Sequence, residues 1–353
     1  MSAVQESTSG PGRPLLEIQG LSKHFPQGGG MLSRGGGVVR AVDDISFTVM
    51  EGETLGLVGE SGSGKSTTGR LILRLIEATG GSCRFMGKDV FSLPKAELRS
   101  LRREMQIVFQ DPYGAFNPRM NISRIIGEGL ELRGVETSRE RDAEVARLLE
   151  LVQLDPGVRN RYPHEFSGGQ RQRLGIARAL AVEPRFIVAD EPVSALDVST
   201  QAEVVNLLLD LQERLGLTML FISHDLSVVR VMADRIAVMF AGKILELSTT
   251  EALYRNPLQP YTRELLAAVP VPDPEHARRK VETRPEGSPR ADLTQPARQG
   301  CPYAARCSHV MEICREQMPP LVDYGPRVGE PGPHLAACHW TEQQVGGPAE
   351  TRQ

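Results

Sequence analysis

A glycine-rich stretch, GESGSGKST at Gly59–Thr67, carries the residue types that can hold a phosphate group. It matches the phosphate-loop pattern G-x-x-x-x-G-K-[ST] and lies between a predicted buried strand, Thr54–Val58, and a predicted helix. Glycines let successive backbone N–H groups converge on an anion, and the amino end of the helix adds a positive dipole. Lys65 supplies a cation for the β- and γ-phosphates of ATP, and the Ser66 hydroxyl is a ligand for Mg²⁺. The residues expected to bind the phosphates are Gly59, Ser61, Gly62, Ser63, Gly64, Lys65, Ser66 and Thr67.

Carboxylates and a histidine follow two further apolar runs. Phe186–Ala189 leads into Asp190 and Glu191, and Thr218–Ile222 leads through a serine into His224. Because the carboxyl ends of parallel strands meet at one edge of a sheet, these side chains are expected near the phosphate loop. Asp190 would hold Mg²⁺. Glu191 would orient or deprotonate the attacking water, and His224 would hydrogen-bond the γ-phosphate.

The order of these motifs resembles that of the ATP-binding cassette (ABC) proteins, over about Leu15 to Pro257. In that family the sequence SGGQ is the signature that contacts the nucleotide of the opposite subunit. The residue before the signature is Phe166 here, where the family usually has leucine, and both are large and apolar. The resemblance therefore assigns nucleotide binding to Ser167, Gly168, Gly169 and Gln170.

Three further segments resemble elements of the same family. Gln110 in IVFQDP resembles the glutamine loop, which senses the γ-phosphate beside Mg²⁺ and faces the membrane subunits. Ser194–Asp197 resembles the loop that crosses the dimer interface, so Asp197 is expected at the nucleotide. Phe25 occupies the place of the aromatic that stacks on adenine. A core aromatic at the end of a strand is the alternative for this residue.

The resemblance implies an α/β fold of the ABC type of phosphate-loop NTPase. It comprises a mixed-sheet core, an antiparallel β subdomain and a helical subdomain, followed by a small cysteine-containing C-terminal extension. In the helical subdomain an apolar stripe recurs at helical spacing and predicts a buried face: Val145, Leu148, Leu149 and Val152. The segment Asp111–Met120 has a loop-like composition. By resemblance it receives coupling helices from membrane subunits, and a plain proline-rich turn is the alternative.

Composition shifts along the chain suggest domain boundaries. The expected order is a disordered tail (1–13), the ABC ATPase domain (14–257, with the helical subdomain at about 111–180), a proline-rich connector (258–300), the cysteine-cluster extension (301–341) and a second disordered tail (342–353).

The chain has one phosphate loop and one signature, so a single subunit would hold two half-sites. Two cassettes are then expected to meet head to tail and to bury two ATP molecules between them. Hydrolysis would open this clamp, and ATP would act through its different affinities for the closed and open dimers.

Charge and hydropathy restrict the class of protein. The chain has 353 residues and a net charge of −3, which argues against a broad basic face for nucleic acid. No segment approaches the roughly twenty apolar residues needed to span a bilayer. Residues 1–13 show no apolar signal-peptide core. A soluble, cytoplasmic chain that meets a membrane through partner proteins is therefore expected.

Four of the five cysteines, Cys301, Cys307, Cys314 and Cys338, lie near the C-terminus, whereas Cys83 is predicted to be a core residue. Disulfides are disfavoured in a reducing cytoplasm. Zinc sites usually have C-x₂₋₄-C pairs, and the gaps here are longer. Four thiolates can instead hold an iron–sulfur cluster. A cluster, zinc and unliganded thiols all remain open at this point.

The pattern CPYAARC…C…ACHW, preceded by NPLQPYTRELLAAVP, resembles the C-terminal extension of oligopeptide and dipeptide importer ATPases. That resemblance implies a [4Fe-4S] cluster in the extension, with zinc as the alternative. It also implies several partners: a second and distinct ABC ATPase subunit, two transmembrane permeases and an extracytoplasmic peptide-binding protein. The expected location is the cytoplasmic face of the inner membrane. A soluble ABC ATPase without a transport role, such as a scaffold for iron–sulfur assembly or DNA repair, is the alternative function.

Overall fold

The structure is a computed structural model that describes residues 13–26, 37–269, 299–326 and 332–345. Twelve strands lie within these residues. In chain order they are β1 (Pro14–Pro26), β2 (Val38–Met50), β3 (Thr54–Val58), β4 (Gly80–Phe85), β5 (Lys88–Asp89), β6 (Met105–Val108), β7 (Phe186–Asp190), β8 (Thr218–Ser223), β9 (Arg235–Phe240), β10 (Lys243–Thr249), β11 (Val322–Asp323) and β12 (Leu335–Ala336).

Twelve α-helices lie within the same described ranges. They are α1 (Lys65–Ile72), α2 (Lys95–Glu104), α3 (Pro112–Ala115), α4 (Ile122–Arg133), α5 (Ser138–Leu151), α6 (Gly168–Leu180), α7 (Val198–Leu215), α8 (Leu226–Met232), α9 (Thr250–Arg255), α10 (Pro260–Ala268), α11 (Glu312–Glu316) and α12 (His339–Val345). Short 3₁₀ helices span Pro156–Asn160 and Pro163–Glu165. No helix in the described part of the chain is both long and apolar enough to cross a membrane.

The strands form two sheets, as the α/β expectation requires. The larger sheet has eight strands in the order β11-β12-β10-β9-β3-β8-β7-β6, and the smaller antiparallel sheet has the order β2-β1-β4-β5. In the larger sheet β6, β7, β8, β3 and β9 are parallel, whereas β10, β12 and β11 are antiparallel to their neighbours. Every residue of β3, β7 and β8 is buried, because helices cover both faces of the parallel part.

The helical subdomain packs around the apolar stripe that the sequence predicts. Val145, Leu148, Leu149 and Val152 are each at most 1% exposed, so the predicted buried face is confirmed. The stripe lies on α5, which begins after the cap residue Thr137. The preceding helix, α4, is capped by Gly134 in a left-handed conformation. Cys83 is fully buried in β4, and the prediction of a core cysteine is also confirmed.

Two boundaries expected from composition are wrong. The proline-rich connector was expected to begin at 258, yet Pro260–Ala268 forms α10, with Pro260 in the first helical turn and Gln259 capping it. Proline is tolerated there because its missing N–H would have no partner within the helix. At the other end, α12 continues to Val345 instead of giving way to a tail at 342. Residues 1–12, 27–36, 270–298, 327–331 and 346–353 lie outside the described residues, and with them most of the expected tails and of the expected connector.

Strands β11 and β12 attach the C-terminal extension to the main sheet. Strand β12 pairs with β10 through Glu246↔Ala336 and Leu247↔Leu335. The side chain of Glu246 is fully buried, and one of its oxygens lies 2.7 Å from Nε2 of His334. The same carboxylate accepts hydrogen bonds from the backbone N–H groups of Leu258 and Gln259. The extension is therefore held against the ATPase core by both backbone and side-chain bonds.

Candidate nucleotide site

The phosphate loop connects β3 to α1 in a conformation that requires glycine at two positions. Gly59 has φ +153° and Gly64 has φ +109°. A Cβ on Gly59 would lie 2.0 Å from the carbonyl oxygen of Met239, and one on Gly64 would lie 2.1 Å from that of Ala41. Other backbone therefore packs directly against both glycines. The close approach leaves no room for a side chain at either position, as expected for a loop whose backbone wraps closely around an anion.

Lys65 lies at the first position of α1 and is only 4% exposed. Its Nζ donates hydrogen bonds to the carbonyl oxygens of Gly59, at 2.8 Å, and Glu60, at 2.9 Å. Burial lowers the pKa of Lys65, while the nearby carboxylates, led by Glu191 and Asp190, act in the opposite direction. A bound phosphate would supply the anionic partner that favours the charged ammonium.

Ser66 and Asp190 form an oxygen-donor pair suited to magnesium. The Ser66 hydroxyl donates to Oδ1 of Asp190 at 2.7 Å, across the space between α1 and the end of β7. Burial raises the pKa of Asp190, and the Ser66 hydrogen bond partly offsets this rise. Mg²⁺ prefers hard oxygen ligands such as a hydroxyl and a carboxylate beside a phosphate. The donor set therefore fits the ion that the phosphate-loop fold implies.

Glu191, His224 and Gln110 meet beside this pair. Oε2 of Glu191 lies 3.1 Å from Nδ1 of His224 and 3.4 Å from Nε2 of Gln110. Gln110 also donates to the Ser194 hydroxyl at 3.2 Å. Glu191 has φ +48°, an uncommon conformation for a non-glycine residue, and its N–H donates to the carbonyl oxygen of Ile222. Such strained residues cluster at functional sites, where the surrounding structure holds them in place.

The parallel register explains why these distant residues converge. Val58 pairs with Ser223, Asp190 pairs with Ile222, and Val108 pairs with Ala189. The residues that follow β3, β6, β7 and β8 therefore leave the sheet at the same edge. The sequence-predicted loop, carboxylates, histidine and glutamine all lie at this edge.

Phe25 lies at the end of β1 and is 39% exposed. Its pair in the neighbouring strand is Val39, which is exposed together with Val38. Nζ of Lys23 lies 4.9 Å from the centre of the Phe25 ring. Since the ring is on the surface, the core-packing interpretation of Phe25 is wrong. The apolar surface around it is suitable for stacking with a planar base.

The signature Ser167–Gln170 begins helix α6. The Ser167 hydroxyl accepts from the N–H of Gln170 at 3.3 Å, and Oε1 of Gln170 accepts from the N–H of Ser167 at 3.0 Å, which is a capping box. Ser167 and Gly168 are exposed, whereas Gly169 packs against Thr200. Among the described residues no hydrogen bond joins the signature to the phosphate loop of the same chain. The start of α6 is therefore a surface that a second molecule can reach.

Asp197 is the N-cap of α7, and its carboxylate is already occupied by hydrogen bonds. It accepts from the Thr200 N–H at 3.0 Å and from the hydroxyls of Ser199 and Thr200. These bonds hold the pKa of Asp197 well below its usual range. Its neighbour Val198 is 83% exposed. The carboxylate therefore has a local structural function at the start of α7, and the interface role of Asp197 stays a prediction.

The segment Asp111–Met120 contains the short helix α3, which Asp111 caps by accepting from the Tyr113 N–H. Tyr113 is 43% exposed and lies under the guanidinium of Arg171, 5.1 Å from its ring centre. Arg178 of α6 donates to the carbonyl oxygen of Ala115 at 2.8 Å. The segment is therefore a short helix that exposes an aromatic ring, and not the plain proline-rich turn of the alternative interpretation. It is tied to the same helix that carries the signature.

The four C-terminal cysteines come together without forming a metal site. Cys301, Cys314 and Cys338 are buried, and Cys307 is half-buried. Burial raises the pKa of Cys301 to about 12, and the other three cysteines add to the rise. The described residues nevertheless contain no group of three or more His, Cys, Asp or Glu side chains arranged to hold a metal ion. The structure therefore does not support the expected ligand set of an iron–sulfur cluster.

The sequence motifs do not indicate a role for Glu60, a residue of the phosphate loop, or for Tyr261 and Arg306, which bind it. Glu60 is a variable position in the phosphate-loop pattern, and its N–H donates to the hydroxyl of Tyr261 at 3.0 Å. Its carboxylate accepts two hydrogen bonds from Arg306. Tyr261 falls in the segment that composition predicts to be a connector, and Arg306 lies between Cys301 and Cys307 in the extension. No local pattern links residues so far apart in sequence.

Comparison with known proteins agrees with this geometry. The family model described as "ABC transporter" matches residues 42–194. A putative peptide import ATP-binding protein of Brucella ovis is 50% identical over 327 residues, which cover 92% of this chain and 97% of the relative. The chain belongs to the ABC transporter ATPase family. A second model, described as "Oligopeptide/dipeptide transporter, C-terminal region", matches residues 245–314.

Two relatives from Bacillus subtilis also match most of the chain. The oligopeptide transport ATP-binding protein AppF of Bacillus subtilis is 47% identical over 349 residues, covering 96% of this chain and 99% of AppF. OppF of the same organism is 56% identical over 272 residues, covering 76% of this chain and 87% of OppF.

A solved ABC structure supports the fold assignment. The ATP-binding cassette MJ0796, in a dimeric post-hydrolysis state bound to ADP and Pi, has a TM-score of 0.60 at 29% identity, covering 67% of this chain and 98% of that one. The ABC fold predicted from the motifs is thereby confirmed.

Proposed function

We propose that this chain is the ATP-binding and hydrolysing subunit of an importer of di- or oligopeptides. The observation that carries the proposal is the convergence of five side chains at one sheet edge: Ser66, Asp190, Gln110, Glu191 and His224. The C-terminal match to the oligopeptide/dipeptide transporter region supports the peptide class of substrate. The names of the relatives from Brucella and Bacillus support it as well.

In this proposal the phosphate loop binds the triphosphate through its backbone N–H groups, and Lys65 neutralises the β- and γ-phosphates. Ser66 and Asp190 would hold Mg²⁺, which supplies Lewis-acid stabilisation of charge on the phosphates when bound. Glu191 accepts a proton from, or orients, the attacking water. His224 and Gln110 hold the Glu191 carboxylate and face the γ-phosphate.

We further propose that two cassettes pair head to tail, so that the exposed signature of one subunit completes the site of the other. The separation of the two half-sites within one chain supports this arrangement. The partner cassette would be a related but distinct chain. Two permeases would receive Asp111–Met120, where Tyr113 is exposed. An extracytoplasmic binding protein would deliver the peptide, and the chain would be peripheral to the cytoplasmic face of the membrane.

Mild affinity capture from detergent-solubilised membranes, followed by mass spectrometry, tests the transport assignment. The expected result is co-purification of two multi-span proteins and a second cassette. Substituting the exposed aromatic, Tyr113→Ala, should reduce recovery of the multi-span proteins while leaving ATP binding unchanged. Recovery of soluble partners alone would overturn the importer proposal in favour of a scaffold or repair ATPase.

We also propose a [4Fe-4S] cluster as the group held by Cys301, Cys307, Cys314 and Cys338, with zinc as the alternative. Its support is the donor chemistry: four thiols lie in one small extension, three of them buried. The lack of a preformed metal group in the described residues weighs against it. Anaerobically purified chain should be brown and contain iron and sulfide. Colourless protein with one equivalent of zinc would establish the alternative, and metal-free protein would exclude both.

A further inference from the structure

The C-terminal extension reaches the phosphate loop through a single carboxylate. Arg306 donates from Nη1 to Oε2 of Glu60 at 2.8 Å and from Nη2 to Oε1 at 2.9 Å. Glu60 immediately follows the first glycine of the loop, 246 residues before Arg306 in sequence. Its backbone N–H is bound separately by the hydroxyl of Tyr261 in α10. Tyr261 and Arg306 thus hold both the backbone and the side chain of one loop residue, and both lie outside the sequence motifs of the nucleotide site.

Two aromatic rings and a second carboxylate hold the Arg306 side chain in place. Its guanidinium lies 5.8 Å from the ring centre of Phe240 and 5.7 Å from that of Tyr303. Nη2 also donates to Glu264 at 2.7 Å, and the Tyr303 hydroxyl donates to the same carboxyl group. The Arg306 side chain is only 20% exposed. A planar cation fixed in this way loses little further freedom when it pairs with a carboxylate.

We propose that Arg306 is a positioning residue of the nucleotide site: it neutralises the Glu60 carboxylate beside the phosphate loop, so that the C-terminal extension sets the affinity for ATP. The inference rests on the proposed nucleotide site. Glu60 acts on Lys65 electrostatically, and Lys65 donates to its carbonyl oxygen. An unpaired Glu60 carboxylate would therefore place a negative charge beside the loop that must receive the negatively charged phosphates.

The sign of the effect distinguishes this role from simple support of the fold. Loss of Arg306 leaves the Glu60 carboxylate uncompensated and should weaken ATP binding. Loss of the carboxylate in Glu60→Gln removes a negative charge beside the phosphates and should keep or increase affinity. A purely structural pair would weaken binding in both variants. Because the pair is bidentate but partly solvated, the expected loss for Arg306→Ala is about three- to tenfold in Kd.

In the experiment a fluorescent ATP analogue is titrated into the purified full-length chain in the presence of Mg²⁺. Arg306→Ala and Arg306→Gln, which keeps the length of the stem, should both raise Kd and KM with little change in kcat. Adding Glu60→Gln to Arg306→Ala should return Kd to near the wild-type value. Arg315→Ala is the matched control, because Arg315 is an exposed arginine of the same extension. Thermal melts establish that each variant is folded.

Two results would overturn the inference. One is an unchanged Kd in folded Arg306→Gln protein, and the other is equal weakening by Glu60→Gln and Arg306→Ala without rescue in the double variant. A wild-type chain that fails to bind the analogue is a distinct result. It would remove the proposed nucleotide site and this inference with it, whereas normal wild-type binding with insensitive variants removes the inference alone.

Discussion

Replacing Glu191 by glutamine tests the catalytic arrangement most directly. The Glu191 side chain is 14% exposed, and Oε2 is the oxygen that contacts both His224 and Gln110. In the described part of the chain Oε1 makes no hydrogen bond, which leaves it available to a water molecule. Glutamine keeps the size of the side chain but cannot accept a proton. The substitution should therefore remove base function without disturbing the phosphate loop.

Since the substitution removes the general base and leaves the phosphate loop intact, the rate should fall while the affinity for ATP stays nearly constant. Loss of a positioned general base costs about 10²- to 10⁴-fold in rate, or about 3–5 kcal/mol of transition-state stabilisation. Lys65, Ser66 and Asp190 are untouched, so the Kd for ATP should stay within about threefold. Phosphate release gives kcat, and nucleotide titration gives Kd. Light scattering with ATP should detect a dimer that persists in the variant, because the nucleotide clamp is not opened by hydrolysis.

The matched control is Glu213→Gln, which removes an exposed carboxylate from α7. It should leave kcat, Kd and assembly unchanged. Turnover by Glu191→Gln at the wild-type rate would refute the assignment of Glu191 as the residue that activates water. A parallel fall in ATP affinity would show that the carboxylate supports the phosphate loop, and the kinetic argument would then fail.

Three further predictions concern the stability and the shape of the site. Gly64→Ala should abolish ATP binding in a titration, because its Cβ would lie 2.1 Å from the carbonyl oxygen of Ala41; retained affinity would contradict the loop geometry. Asp190→Asn should raise the melting temperature at pH 7 while abolishing hydrolysis. Burial raises the pKa of Asp190, so its charge costs stability above that raised pKa. The gain in melting temperature should disappear as the pH falls to about 4, and an equal gain at both pH values would be inconsistent with this cause. His334→Ala should lower the melting temperature by about 3 °C, since it leaves the fully buried Glu246 without its imidazole partner at a cost of about 2 kcal/mol; an unchanged melt would argue against this buried pair.

Much of the nucleotide site could be predicted from short segments because its chemistry is local or repeats a fixed order. The loop between β3 and α1 needs glycine where other backbone comes too close to a Cβ position, as at Gly59, where the distance to the Met239 carbonyl oxygen would be 2.0 Å. Asp190 and His224 follow runs of buried apolar residues, and parallel strands bring such ends to one edge. The capping box of Ser167 and Gln170 is likewise a property of adjacent residues.

Composition was a poor guide where tertiary packing overrides it. Prolines suggested an extended connector from 258, but Pro260 begins a helix whose Tyr261 is fully buried. Phe25 could have been a core aromatic, and only its position at the end of an exposed ribbon decides otherwise. The cysteine spacing indicated ligands, yet the described side chains are not arranged as a metal group.

The sequence by itself determined the ABC fold, the phosphate loop and the identity of the groups at its edge, because these depend on backbone geometry and on residue order. Only the tertiary structure decided that the C-terminal extension continues the main sheet through β12 and that Arg306 binds Glu60. The physical reason is sequence distance: a pairing across 246 residues leaves no periodicity or spacing in the chain. Such a contact forms only when the chain has folded and brought Arg306 next to Glu60.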